Sequence, residues 1–206
     1  MVTLPATVYS QQIVKKKLNV YYPAVHLTNP AVHLTNPAVQ HSINSKILQR
    51  TNELIRQQGY GENPDKEETG YYELKTNERN VLSLTLVNFA YSGGAHGLTV
   101  VVPLTFNVLT GKTYQLKDLF KKDSNYVSVL SKIVGAQIKE RDIMVLGEYK
   151  GIKPNQDFYI ADKSLVLFYQ LYDLAPYAYG IPYFPISIYA IQDIITDESP
   201  LGQMFG

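Results

Sequence analysis

Residues 81–106, VLSLTLVNFAYSGGAHGLTVVVPLTF, decide the fold, because two strand patterns flank a glycine-rich turn. Leu82, Leu84 and Leu86 alternate with other residues, and every even-numbered residue from Leu98 to Phe106 is apolar. Apolar side chains at every second position lie on one face of a β-strand. We therefore predict strands at 81–91 and 98–106, with Pro103 indicating a sheet edge or bulge.

The turn between these strands, Tyr91-Ser-Gly-Gly-Ala-His-Gly97, has an unusual composition. Three glycines let the backbone adopt conformations that other residues avoid, and they let another chain or a ligand approach closely. The turn is not a dinucleotide fingerprint or a P-loop, because a strand follows it and the Gly-Lys-Ser/Thr ending is absent. We interpret His96 as a hydrogen-bonding group that joins this turn to a second loop, with direct ligand contact as the alternative.

Upstream, residues 13–22 read as one strand that ends at Pro23. The heptapeptide PAVHLTN then occurs at 23–29 and again at 30–36. Such a short tandem repeat is not a solenoid. A metal site at His26 and His33 is not expected, because zinc needs further ligands in fixed geometry.

The end of the repeat contains a helix-start signal. Asn36 is a preferred cap residue and Pro37 suits the first helical position. Apolar residues continue at helical spacing, so we predict a helix from Pro37 to Gln58 and expect the extra repeat copy to loop out or to form a short separate turn. Residues 61–69 are polar and acidic, and we predict a solvated loop there.

Downstream of the glycine-rich turn, the sequence predicts a second helix, capped by Asp123 or Ser124, whose apolar positions recur at helical spacing. The remaining predicted elements are a strand pair at 157–160 and 164–171, a tyrosine-rich loop at 172–180, a strand at 183–188, a short helix at 189–195 and a mobile tail after Thr196. Two helices and paired strands predict an α+β fold with antiparallel sheets. We expect two tightly packed subdomains, residues 1–90 and 91–206.

Composition excludes several classes of function. The 206 residues carry a formal net charge of only +1, so no basic surface for nucleic acid is predicted. The absence of cysteine excludes disulfides and thiolate metal sites. No apolar run approaches the roughly 20 residues that span a bilayer, and the first residues lack a signal-peptide pattern. We therefore expect no membrane span in these residues, and either the protein is made without a leader or a leader has been removed.

Tyrosine is over-represented, with 17 residues and no tryptophan. Tyrosine offers a large rigid contact face and a hydroxyl group, and it is favoured at recognition surfaces. It is also common in β-strands. The tyrosine content therefore fits a recognition surface, a β-rich fold or both.

Several motifs resemble a known domain family. They are Tyr91-Ser-Gly-Gly-Ala-His-Gly97, residues 104–112, residues 116–120 and Tyr172-Asp-Leu-Ala-Pro-Tyr-Ala-Tyr-Gly180. In these motifs the chain resembles the uncharacterised C-terminal domain of the lysozyme-sensing anti-sigma-V factors, whose relatives accompany a peptidoglycan deacetylase. Tyr21-Tyr-Pro23, residues 36–40 and Ile43-Asn44 resemble the companion domain that precedes it there.

The resemblance implies an α+β ectodomain of Gram-positive bacteria that binds a protein or wall ligand. It implies an extracytoplasmic or cell-surface location. Because no leader is seen, spore-associated and cytoplasmic locations stay open. These residues contain no membrane span, sigma-binding region or deacetylase domain, so we do not carry over lysozyme sensing.

We predict a non-enzymatic binding module of the cell envelope, without cofactor or metal, that recognises a protein or cell-wall glycan. The predicted ligand-binding residues, on the glycine-rich turn and the tyrosine-rich loop, are Tyr91, His96, Asp173, Tyr177, Tyr179 and Tyr183. A first alternative is a structural protein of a spore or surface layer that self-assembles as residues 2–10 pair with a neighbour's sheet edge. A second is an enzyme using His96 and Asp173 on a glycan, for which no paired carboxylates are recognisable.

Overall fold

The computed structural model describes residues 5–29, 34–62 and 65–205, and the chain folds into two compact units, Met1–Thr113 and Tyr114–Gly206. The first unit contains one long helix, α1 (Pro37–Gln57). Its strands, in chain order, are β1 (Thr7–Lys15), β2 (Leu18–His26), β3 (Thr28–Asn29), β4 (Leu34–Thr35), β5 (Glu67–Glu78), β6 (Val81–Tyr91) and β7 (Leu98–Asn107).

Five of these strands form one sheet in the order β1-β2-β5-β6-β7. Every neighbouring pair is antiparallel except β2 and β5, which run parallel over three residues. The predicted strands at 81–91 and 98–106 are confirmed, and β7 lies at the sheet edge, where Pro103 is tolerated. Strands β6 and β7 pair along their length and therefore belong to the same unit. The two units divide after Thr113, whereas the sequence predicts a boundary between residues 90 and 91.

The predicted single strand at 13–22 is wrong. Two antiparallel strands, β1 and β2, meet at a tight turn in which Lys17 has a positive φ of 60°. Pro23 does not end β2, because β5 pairs with β2 only from Leu18 to Val20. Beyond that point β2 has a strand partner on one side only, where a missing N–H group is tolerated.

Helix α1 begins as predicted. The side chain of Asn36 accepts a hydrogen bond from the backbone N–H of Val39, and Pro37 occupies the first turn. The buried face of α1, including Ile43 and Ile47, packs on alternating residues of β6 and β7: Leu82, Leu84, Leu86, Val102, Leu104 and Phe106. Within the described ranges, no helix is long and apolar enough to cross a membrane.

The repeat residues that the structure describes after Leu27 lie outside the main sheet. Strands β3 and β4 pair with each other alone, joining Thr28 to Thr35 and Asn29 to Leu34. This pairing agrees with the predicted looping-out of the copy. Residues 30–33, which include His33, lie outside the described residues.

The second unit contains α2 (Tyr126–Glu140), β8 (Phe158–Ala161), β9 (Ser164–Phe168) and β10 (Tyr183–Ser187). Its antiparallel sheet has the order β10-β9-β8. Helix α2 starts after Asn125 rather than after Asp123 or Ser124. Two helices with mostly antiparallel sheets confirm the α+β class.

Two predictions for the C-terminal segment are wrong. The predicted helix at 189–195 is two short 3-10 turns, Ile188–Ala190 and Gln192–Ile194. The predicted mobile tail is packed, because the side chains of Leu201 and Met204 are buried. Burial of these two apolar side chains offsets the entropy lost when the tail is ordered.

Candidate functional site

The glycine-rich turn of the first unit connects β6 to β7. Gly93 and Gly94 both have positive φ, 88° and 98°, a conformation that side-chain-bearing residues rarely adopt. The hydroxyl of Tyr91 donates a hydrogen bond of 3.0 Å to the carbonyl of Gly94 and so closes the turn. Tyr91 therefore has a structural role within the turn.

The end of the turn depends on a close approach at Gly97. A Cβ atom there would lie 2.3 Å from Cζ of Phe89 and 2.6 Å from the carbonyl oxygen of Ala90. Only glycine fits at such distances. The neighbouring His96 is exposed, and its Nδ1 lies 3.2 Å from the carbonyl oxygen of Gly97.

A cleft of about 340 Å³ opens beside this turn, within the first unit. Its apolar lining comes from α1, β6 and β7: Leu54, Ala90, Leu98 and Val100. Its polar lining comes from the end of α1, the residue before β5 and the turn: Gln57, Gln58, Lys66, Ser92 and His96.

A buried polar network lies beside the cleft, under the end of α1. The side-chain nitrogen of Asn88 donates to Oε1 of Gln58 at 2.7 Å and to Oε2 of Glu68 at 2.8 Å. The Gln58 side chain donates in turn to the backbone carbonyl of Leu98 at 2.8 Å. The ammonium of Lys66 donates to the backbone carbonyl of Gln58. The network joins α1, β5, β6 and β7.

Glu68 is the unusual member of this network, because it is a carboxyl group that is only 1% exposed. Burial raises its pKa, and the hydrogen bond from Asn88, the charge of Lys66 and the backbone N–H of Tyr60 offset this only in part. Our prediction of a solvated loop at 61–69 is wrong for Glu68, which lies in β5. The prediction missed it because acidic residues in a polar stretch are usually exposed.

The tyrosine-rich loop of the second unit has a fixed backbone. Tyr172 has a positive φ of 68°, and Tyr177–Tyr179 form a 3-10 turn that ends at Gly180, with a φ of 80°. The rings of Tyr172 and Tyr177 lie 5.7 Å apart, tilted by 33°. Tyr172 and Tyr179 nevertheless remain 49% and 41% exposed.

Arg141, the residue that follows α2, organises this loop. Its guanidinium donates to the carbonyl of Tyr183 at 2.7 Å and to the hydroxyl of Tyr179 at 3.2 Å. It also lies over the ring of Phe184, 5.3 Å from the centroid. Sequence analysis did not single out Arg141, because nothing in the sequence near α2 links it to a loop about forty residues away.

The structure places the other two predicted loop residues in different surroundings. Asp173 is exposed and pairs with Lys153, Oδ2 to Nζ, at 3.6 Å. The Tyr183 ring packs against Phe168 and Tyr159, with centroids 5.6 Å and 6.1 Å away. Tyr183 therefore contributes to packing, whereas Tyr177 and Tyr179 share one turn.

The six predicted site residues fall in the two units as two groups. The first unit holds Tyr91 and His96, and the second holds Asp173, Tyr177, Tyr179 and Tyr183. The role of these residues in binding stays a prediction. In the parts of the chain that the structure describes, no three His, Cys, Asp or Glu side chains are grouped to hold a metal.

Two family models match the chain, each inside one unit. Residues 14–99 match the family described as Deacetylase PdaC, and residues 117–189 match the family described as a protein of unknown function, DUF3298. The anti-sigma-V factor RsiV of Bacillus subtilis (strain 168) is 26% identical over an alignment of 178 positions, which covers 78% of this chain. The chain spans 61% of the length of that relative.

Solved structures show the same fold. A DUF3298 family member from Bacteroides fragilis superposes with a TM-score of 0.67 at 16% identity, covering 99% of each chain. A DUF3298 family protein from Pseudomonas aeruginosa superposes with a TM-score of 0.59 at 15% identity, covering 98% of this chain and 97% of that one. The resemblance inferred from the motifs is confirmed: the chain joins a region that matches the PdaC family to a region that matches DUF3298, in the α+β fold of solved DUF3298 structures.

Proposed function

We propose that this chain is a non-catalytic binding module of the bacterial cell envelope, recognising a protein or cell-wall ligand. The contact surface in this proposal is the tyrosine surface, which we define as Tyr172, Tyr177, Tyr179 and Arg141. The observation that carries the proposal is that large aromatic rings stay exposed on a backbone that is already ordered. Rigid tyrosines lose little conformational entropy when they bind, so they favour recognition.

The comparisons support a binding role over catalysis. The relative RsiV is named as an anti-sigma factor, which is not the name of an enzyme. The family that matches residues 14–99 is described as a deacetylase, so deacetylation of a wall glycan is the activity to test. We expect none from this chain, and deacetylase activity abolished by His96→Ala would contradict the proposal.

Sedimentation with purified bacterial cell walls, and pull-down from a soluble envelope-protein fraction, test the proposal. The informative variant is Tyr177→Ala/Tyr179→Ala, which removes two rings of the tyrosine surface. The matched control is Tyr189→Ala, because Tyr189 is 51% exposed in the same unit but contacts Phe205 and Lys163 instead. We expect the wild type and the control to bind one of the two preparations and the folded double variant to lose at least tenfold in affinity. Unchanged binding by the double variant would remove the tyrosine surface from the proposal.

A second candidate function, self-assembly into a structural layer, has one observation in its favour. Strand β1 is an edge strand of nine residues, and most of its side chains are exposed. Exposed edge strands present unpaired backbone groups to other chains. Light scattering over a hundredfold range of concentration tests it. A molecular mass that stays at 23.3 kDa throughout would count against assembly.

A further inference from the structure

The network of Gln58, Glu68 and Asn88 has a defined hydrogen-bond direction. The amide nitrogen of Gln58 donates to the carbonyl of Leu98, so Oε1 of Gln58 must accept. The atom of Asn88 that faces Oε1 is therefore its nitrogen, which also donates to Oε2 of Glu68. Both N–H groups of this amide are used, and the orientation of Asn88 is fixed by its partners.

Two acceptor oxygens remain in this network. Among the described residues, neither Oε1 of Glu68 nor Oδ1 of Asn88 has a hydrogen-bond donor. Both residues are only 1% exposed. Buried acceptors without donors are costly. A single proton on Oε1 of Glu68 turns that atom into a donor, and Oδ1 belongs to the same amide that already bonds the other carboxyl oxygen.

The charged and titratable groups around Glu68 are engaged elsewhere. Lys66, the residue before β5, bonds the backbone carbonyl of Gln58, and its charge only partly offsets the effect of burial on the pKa of Glu68. Tyr60, after α1, donates its hydroxyl to the carbonyl of Lys16. Lys17, before β2, pairs with Asp65 at 3.4 Å. From β2 and β6 the facing residues are uncharged, Leu18 and Ala90. In the described ranges, no cation forms an ion pair with Glu68.

The backbone leaves room for this pairing at Gly70. A Cβ atom at Gly70 would lie 2.7 Å from Oδ1 of Asn88 and 2.9 Å from a methyl group of Val20. Gly70 lies opposite Asn88 in the β5–β6 ladder and two residues from Glu68, on the same face. Oδ1 of Asn88 is thus directed to the strand that carries Glu68.

We propose that the folded protein holds Glu68 as a neutral carboxylic acid at pH values where an exposed glutamate is ionised, paired through two hydrogen bonds with the amide of Asn88. The second hydrogen bond of this pair forms only when Glu68 carries the proton. The pair fixes the Gln58 side chain, and through it the wall of the cleft formed by the end of α1. When Glu68 loses the proton, a buried carboxylate remains in the network. The Gln58 side chain and the end of α1 beside the cleft are then held less firmly.

The direction of the pH effect follows from linkage. Because the pKa of Glu68 is raised in the folded state, its contribution to stability is complete below the unfolded pKa and is lost as the pH rises through the folded pKa. Glu68→Gln keeps the shape and replaces the acid O–H with an amide N–H that cannot titrate. The matched control is Glu67→Gln, which removes the same charge from the exposed neighbour on the other face of β5.

Carbon-13 NMR of the wild-type Glu68 side chain, from pH 3 to 9, tests the proposal without a variant. The expected midpoint lies above the value of about 4.3 for a model peptide, and the Gln58 side-chain amide signals shift at the same midpoint. The melting temperature of the wild type should fall relative to that of Glu68→Gln as the pH rises from 5 to 8, whereas Glu67→Gln follows the wild type. A Glu68 midpoint at or below the model value, or a Glu68→Gln variant less stable than the wild type at pH 8, would overturn the proposal.

Discussion

The side-chain amide of Asn44 on α1 binds the backbone of Val25 on β2 as a neighbouring strand would. Its Oδ1 accepts from the Val25 N–H at 2.8 Å, and its Nδ2 donates to the Val25 carbonyl at 3.0 Å. Gln40, one turn earlier, accepts from the N–H of Leu27 at 2.9 Å. These bonds satisfy backbone N–H and carbonyl groups on the side of β2, and just past its end, where no strand partner follows Val20.

Asn44→Ala should destabilise the first unit. Two hydrogen bonds are lost, and part-buried backbone groups of Val25 lose their partners, so we expect a loss of about 2 kcal/mol in the free energy of unfolding. Urea denaturation measures the loss, with Gln49→Ala as the control, because Gln49 is exposed on the same helix and its side chain bonds the exposed face of that helix at Glu53. Equal stability of the two variants would contradict the role assigned to Asn44.

Gly97→Ala should destabilise the protein more than Gly94→Ala. At Gly97 the new methyl group overlaps Phe89 and the carbonyl of Ala90, for which we expect about 2 to 3 kcal/mol. At Gly94 there is space, and only the positive φ of 98° is unfavourable, for which we expect about 1 kcal/mol. Thermal unfolding of the two variants checks the order, and the reverse order would contradict the close approach at Gly97.

Arg141→Lys should weaken the tyrosine surface although the charge is kept. Lysine cannot bond the Tyr183 carbonyl and the Tyr179 hydroxyl together in the guanidinium geometry, and it stacks less well over Phe184. We expect a stability loss of about 1 kcal/mol and faster hydrogen exchange at residues 177–180. Lys139→Arg, on the last turn of the same helix, is the control. Unchanged exchange in Arg141→Lys would show that Arg141 does not order the loop.

Local signals explain which elements could be predicted. The cap and proline at Asn36 and Pro37 specify the start of α1, and strict alternation specifies β6 and β7. The turn at Lys17 was missed, because a positive φ at a lysine leaves no mark in the sequence. Glu68 was missed because its burial depends on Gln58 and Asn88, which only the folded chain brings to it.

The predicted site residues also differ in whether their geometry is local or depends on contacts between distant segments. The geometry of Tyr91 and of the turn at Tyr177–Tyr179 is local, and the composition of the two segments indicated a turn and a loop. The contribution of Arg141 depends on α2 lying against β10, a contact between segments distant in sequence. Such contacts follow from the topology of the sheet and are not encoded in any one segment.

The most direct test of the binding proposal is an NMR map of the isotopically labelled protein. Solubilised cell-wall fragments and the soluble envelope-protein fraction are added in separate titrations. The proposal predicts that one of them shifts or broadens the signals of Tyr177, Tyr179 and the Arg141 side chain, while those of Tyr189 stay unchanged. Binding with perturbations confined to residues outside the tyrosine surface would contradict it.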